Sequence, residues 1–158
     1  MAELNVGDTA PEIDAQATTG ERFVLSRADH LCTVLYFFPK AFTPGCTRET
    51  QLFRDNYAEV ALAGGQIVGI STDDHTTQCA FASSTHATFP MIADPDGTIS
   101  RAYGVLWPVI ARPQRVTFIV ERGRKILARF RHEIRIGKHK DEVLLFVDAL
   151  FRSRQARS

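Results

Sequence analysis

The sequence predicts an α/β domain of three layers around a central mixed sheet. Two apolar runs, 32–38 (CTVLYFF) and 66–71 (QIVGIS), are dominated by β-branched, aromatic and other apolar residues, as strands covered on both faces are. The stretch between them has helical periodicity. A strand–helix–strand connection implies parallel pairing through a right-handed crossover. Farther along, Val116 to Glu121 and Lys125 to Phe130 flank Arg122-Gly123 and read as an antiparallel hairpin. Helices between strands plus a terminal hairpin give helices packed on a mixed sheet. The 158 residues suit one domain, 1–158, able to bury a sizeable core.

In chain order, Val6 to Ser26 is turn-rich with short extended pieces, and Thr18-Thr19-Gly20 marks a hairpin turn. Pro39 ends the first buried strand. A helix is expected from Pro44 to Ala63: Thr43 can cap it, Pro44 fits its first turn, and Gly64-Gly65 stop it. Within it Phe53, Tyr57, Val60 and Ala61 form one apolar stripe. Asp73 or Asp74 caps a second helix through His86, with Phe81 facing inward. Phe89 to Ala93 is a third strand, Asp94-Pro95-Asp96-Gly97 a turn, and Thr98 to Tyr103 a short helix. A last helix is expected over Asp141 to Phe151, with Val143, Val147, Leu150 and Phe151 on one face.

Composition narrows the function. Lys+Arg 19 against Asp+Glu 18 gives a net charge of +1, so no global pull towards nucleic acid exists. The basic tail residues Arg152, Arg154 and Arg157 read as a solvated end. No apolar run approaches the ~20 residues of a membrane span. The N-terminus has neither a basic region nor an apolar signal core, so a cytoplasmic chain is expected. Three cysteines, Cys32, Cys46 and Cys79, are too few for a disulfide scaffold, and no Cys-x-x-Cys pair suggests zinc. The histidines, His30, His75, His86, His132 and His139, lack ligand spacing and read as surface or packing residues.

Cys46 stands out by position. A buried strand ends at Pro39, a loop follows, and Cys46 falls in the first turn of a helix. Ligands of open α/β sheets bind at the carboxyl ends of strands, where this loop lies. A helix N-terminus offers unpaired N–H groups and partial positive charge, which favour thiolate over thiol. Thr43 puts a hydroxyl on the same rim. A cation would complete the site, and Arg115, just before the strand at Val116, is the candidate that topology could bring close. Taken singly, each feature has an ordinary reading: a small buried cysteine, a helix cap, a turn.

Taken together, the run from Phe37 to Thr47 resembles the active-site signature of the peroxiredoxins, with Pro39, Thr43 and Cys46 in the family's Pro-x-x-x-Thr-x-x-Cys spacing. The wording is closest to the bacterioferritin comigratory protein, or PrxQ, branch. Further similarity lies at Gly7-Asp8-x-Ala10-Pro11, Gly69-Ile70-Ser71-x-Asp73, Phe89-Pro90, Asp94 to Val105 and Arg115 to Val120. The resemblance implies a thioredoxin-like fold with an N-terminal β-hairpin extension. It implies a peroxidatic Cys46 that becomes a sulfenic acid on attacking hydrogen peroxide or an organic hydroperoxide. Thr43 would hydrogen-bond the peroxide, Pro39 would shield the sulfur, Arg115 would stabilise thiolate and developing charge, and Glu49 would orient Arg115. No metal, haem or flavin is implied. A dithiol protein such as thioredoxin or glutaredoxin would recycle the enzyme, in the service of antioxidant defence, and relatives favour a monomer.

The chain also departs from the pattern. Gln51 occupies the position where many relatives carry a resolving cysteine. Cys32 reads as inert core. Cys79 lies in the following helix, about one turn before the position some members of the branch use, and is the candidate resolving cysteine. The alternatives are an inert helix residue and a one-cysteine mechanism with an external thiol. Phe38 and Ala41 replace a tyrosine and an aspartate common in relatives, where tuning is expected. The segment from Trp107 to Pro113 reads either as the rim of the peroxide entrance, as a partner surface, or as a buried loop.

Overall fold

The computed structural model describes residues 4–131 and 136–156. Met1 to Glu3, His132 and Arg157 lie outside the described residues. An N-terminal antiparallel hairpin comes first, β1 (Asp14–Gln16) with β2 (Arg22–Val24), followed by a 3-10 turn at Leu25–Arg27. Then come β3 (Cys32–Phe37), α1 (Pro44–Asp55), α2 (Tyr57–Leu62), β4 (Gly65–Ser71), α3 (His75–Thr85), β5 (Met91–Ala93) and α4 (Thr98–Ala102). The chain ends with β6 (Val116–Glu121), β7 (Ile126–Arg131) and α5 (Ile136–Gln155). The main sheet has the order β5-β4-β3-β6-β7. β3 pairs parallel to β4 and antiparallel to β6, so it is central and the sheet is mixed.

Alternation along β3 divides the apolar residues between two cores. Cys32, Val34 and Tyr36 face one, with Phe53 from α1, Phe81 from α3, and Val143 and Val147 from α5. Leu35 and Phe37 face the other, with Phe23 from the hairpin, Leu25, Tyr103 and Val105. Every residue of β3 and β4 is buried, because helices cover one face and the hairpin with the α4 region covers the other. Tyr36 packs tilted against Phe53 at 4.8 Å and stacks on Phe38 at 5.5 Å, and such aromatic pairs add about 0.5–1.5 kcal/mol each beyond burial.

The helix expected over Pro44 to Ala63 is broken. Asn56 sits between α1 and α2 at φ −108°, ψ 10°, and its side-chain amide donates to the Leu52 carbonyl at 2.8 Å. Asparagine competes locally for backbone groups, which accounts for the interruption. Gly64, at φ 83°, ends α2. The last helix begins earlier than Asp141, at Ile136, which brings His139 into its first turns. Asp74 rather than Asp73 caps α3, accepting from the Thr77 N–H. No described helix is long and apolar enough to cross a membrane.

Candidate active site

Pro39 follows the end of β3, and the loop from Pro39 to Thr43 delivers the chain into α1. Two contacts set this loop. The Ala41 N–H donates to Asp73 Oδ2 at 2.8 Å, and the Ser71 hydroxyl donates to the same oxygen at 2.7 Å. Asp73 thus ties the loop to the end of β4. Phe42 adopts a left-handed conformation, φ 65°, costly for a bulky residue and found where surrounding structure enforces it. Its ring meets Phe81 edge-on at 5.3 Å.

Thr43 occupies the N-cap position of α1 but its side chain does not cap. Its hydroxyl donates to the Lys40 carbonyl at 2.7 Å, closing the loop on itself. The expected side-chain cap is therefore replaced by a turn bond, and the Thr43 oxygen keeps its lone pairs for another donor. Pro44 has no N–H, so the orphan donors of the first turn are those of Gly45 and Cys46. Cys46 lies at the same turn with only 1% of its surface exposed, among Phe38, Ala41 and Phe81. The two residues that depart from the relatives, Phe38 and Ala41, are thus buried in the same cluster as the sulfur.

Arg115 precedes β6 by one residue and reaches across to α1. Its Nη1 donates to Glu49 Oε1 at 2.7 Å, and its Nη2 donates to Cys46 Sγ at 3.5 Å. Glu49 is 1% exposed and Arg115 6%. Burial works against the guanidinium's charge, yet Glu49 and Cys46 outweigh it and hold the group more firmly protonated than usual. The planar fork lets one side chain serve both partners. Tyr36 backs the same site from β3, sharing a 3.0 Å hydrogen bond with the Thr50 hydroxyl. Burial foremost keeps its phenol neutral, against the pull of the Thr50 bond, and negative charge on Glu49 and Cys46 adds to that.

The structure therefore brings Cys46, Arg115, Glu49 and Thr43 to one end of the sheet, with half-buried Pro39 at the rim. Cys79 is elsewhere on α3. It is half-buried, its sulfur lies 3.4 Å from His75 Nε2, and it opens on a hollow with Thr18, Thr19 and His86. Cys32 is enclosed at the start of β3, and desolvation pushes its thiol up to about 11. All three cysteines are free. The segment from Pro108 to Arg112 is exposed, with Val109 90% accessible, so the buried-loop reading is ruled out.

Two residues of this region were not assigned to it by sequence. Asp73 entered as a helix cap and as part of the family-like stretch from Gly69, with no role at the site. His139 was read as a surface or packing residue, but it is fully buried and polar-bonded: Nε2 meets the Thr117 hydroxyl and lies 3.9 Å from Glu49 Oε2. The available signal was its spacing, four and eight residues before the buried Val143 and Val147. Among the described residues no group of three His, Cys, Asp or Glu could hold a metal ion.

Comparison with known proteins identifies the family and the fold. Residues 6–129 match the AhpC/TSA family. A chloroplastic peroxiredoxin Q of Arabidopsis thaliana is 31% identical over 94% of this chain and 69% of its own length. The crystal structure of peroxidoxin BcpB from Mycobacterium tuberculosis superposes with a TM-score of 0.86 at 33% identity, covering 93% of this chain and 98% of that one. Peroxiredoxin Q of Xanthomonas campestris gives 0.79 at 26% identity, covering 87% and 90%. The match is thus with thioredoxin-like peroxiredoxin structures, as the mixed sheet and its N-terminal hairpin require. The chain belongs to the AhpC/TSA family and, within it, is a thiol peroxidase of the peroxiredoxin Q, or bacterioferritin comigratory protein, branch.

Proposed function

We propose that Cys46 is the peroxide-attacking thiol, and that the chain reduces hydrogen peroxide and organic hydroperoxides through it. The observation that carries the reading is the Arg115 fork, held by buried Glu49 and directed at Cys46 Sγ from 3.5 Å. In the first step the thiolate attacks the terminal peroxide oxygen. A sulfur–oxygen bond forms, the oxygen–oxygen bond breaks, and the departing oxygen takes a proton and leaves as water or alcohol. Sulfur is oxidised to sulfenic acid and the peroxide is reduced. Arg115 stabilises the charge that spreads over the breaking bond, and the orphan N–H groups of the first α1 turn add to it. The Thr43 oxygen accepts a hydrogen bond from the peroxide while its own O–H donates to the Lys40 carbonyl. Pro39 limits access of water to the sulfur.

Cys79 is the proposed resolving cysteine. Its thiol would attack the Cys46 sulfenic acid, forming a disulfide and releasing water, after the first turn of α1 opens locally. The absence of a side-chain cap on Thr43 favours such an opening. A dithiol protein such as thioredoxin then reduces the disulfide. The three free cysteines suit a reducing compartment such as the cytoplasm, with residues 1–158 working as one unit and as a monomer.

The test is rapid mixing of reduced protein with stoichiometric hydrogen peroxide. Cys46→Ser should abolish the fast loss of peroxide, whereas Cys79→Ser should leave the first step intact. Fast reaction surviving in Cys46→Ser would overturn the assignment. Intact mass and peptide mapping after one equivalent should show a Cys46–Cys79 disulfide in the parent protein; a persistent sulfenic acid would assign resolution to an external thiol.

A further inference from the structure

We propose that His139 is a positioning residue for the peroxidase site: from α5 it fixes the Glu49 carboxylate, and through it keeps the Arg115 guanidinium at the Cys46 sulfur. The inference rests on the reading of Cys46 as the reacting thiol. Two side chains from separate parts of the chain converge on one carboxylate. Arg115, at the start of β6, takes Oε1 at 2.7 Å. His139, on α5, faces Oε2 with Nε2 at 3.9 Å, and the same nitrogen is bonded to the Thr117 hydroxyl of β6. Phe53, one turn beyond Glu49 on α1, meets the imidazole edge-on at 6.5 Å.

Chemistry assigns the proton. A nitrogen set between a hydroxyl oxygen and a carboxylate oxygen is favourable as a donor, and unfavourable as a lone pair facing negative charge. The network therefore places hydrogen on Nε2, which bonds the Thr117 hydroxyl and presents its positive edge to Glu49 Oε2 at 3.9 Å. The need for this anchor follows from the carboxylate itself. The terminal torsion of a glutamate is soft and broad, so the bond from Arg115 to Oε1 does not by itself set the carboxylate plane. A second contact on the other oxygen fixes that plane, and with it the angle at which the guanidinium reaches sulfur. Packing alone does not call for an imidazole here. Val143 and Val147 continue the same stripe of α5 into the core, and a buried polar ring is costly unless it is bonded. The C-terminal helix, far from Cys46 in sequence, thereby becomes part of the catalytic apparatus.

The experiment compares His139→Gln with His139→Asn. The glutamine amide nitrogen reaches the place of Nε2, whereas the asparagine amide ends near Nδ1, short of the carboxylate. Two rates are read on each protein: Cys46 with hydrogen peroxide, and Cys46 with the neutral alkylator iodoacetamide. Displacing a group that contacts the reacting atoms costs tenfold or more in rate, so His139→Asn should lose roughly tenfold with peroxide and under about twofold with iodoacetamide. His139→Gln should stay within about threefold of the parent in both. In a Glu49→Gln background, His139→Asn should add almost nothing, because its route is gone. Equal losses with both reagents, equal losses in the two variants, or additive losses in the double variant would each overturn the proposal. A parent protein that itself fails to react quickly with peroxide would refute instead the assignment of Cys46.

Discussion

Arg115 and Cys46, 69 positions apart in sequence, stand 3.5 Å apart across the end of the sheet, with the guanidinium donating to sulfur. The β3–β6 register makes this possible: Phe37 lies opposite Val116, so the residue just before β6 meets the loop just after β3.

Replacing Arg115 by lysine keeps the charge but loses the fork, and one ammonium cannot serve Glu49 and Cys46 together. The rate with hydrogen peroxide should fall by about 10²–10³, as for removal of a donor aimed at developing charge. Arg115→Met should also leave the buried Glu49 carboxylate without its guanidinium partner and lower stability by roughly 3–5 kcal/mol in urea unfolding.

Thr43→Val removes the bond to Lys40 and, with it, the oxygen proposed to accept from the peroxide. Thr43→Ser retains both. The valine variant should lose about 10²-fold in kcat/KM, the serine variant less than about tenfold, with circular dichroism unchanged in both. Equal losses in the two would assign Thr43 to packing.

The Cys32 thiol titrates at about 11 in the folded chain because burial disfavours its anion. A pKa raised on folding means that the native state keeps its proton after the unfolded chain has lost it. Its contribution to stability is therefore full below the unfolded value near 9 and declines as pH rises towards about 11. Between pH 8 and pH 11 the parent protein should lose about 2–3 kcal/mol relative to Cys32→Ala, measured by urea unfolding at the two pH values.

Gly69 sits where a Cβ would lie 2.7 Å from the ring and hydroxyl of Tyr36. Tyr36 is fully buried and bonded to Thr50, so it has little room to yield. Gly69→Ala should lower stability by about 1–3 kcal/mol, seen as a lower Tm. Because Thr50 belongs to the helix that carries Cys46, the variant should also slow the reaction with peroxide. A variant as stable and fast as the parent would mean that Tyr36 can move aside.

Much of this molecule is legible in its sequence because the signals are local. A doubly apolar run such as 32–38 admits few placements other than a central strand, and the spacing of Pro39, Thr43 and Cys46 sets a thiol in the first turn of a helix whatever surrounds it. Arg115 could be named as the missing cation because strand order alone brings it near. The break at Asn56 and the early start of α5 were not legible, since each turns on a single side-chain bond or on burial against a distant element.

By itself the sequence determined the fold class and the family, and it set Cys46 in the first turn of a helix. Periodicity and motif spacing are properties of the chain in one dimension. Tertiary structure alone brought in the residues behind that pair: His139 of α5, 3.9 Å from the Glu49 carboxylate that Arg115 also meets, and Asp73, which fastens the Pro39 loop. Those contacts join residues from separate elements, and a buried polar group reveals its partner only when packing has brought the two within bonding distance.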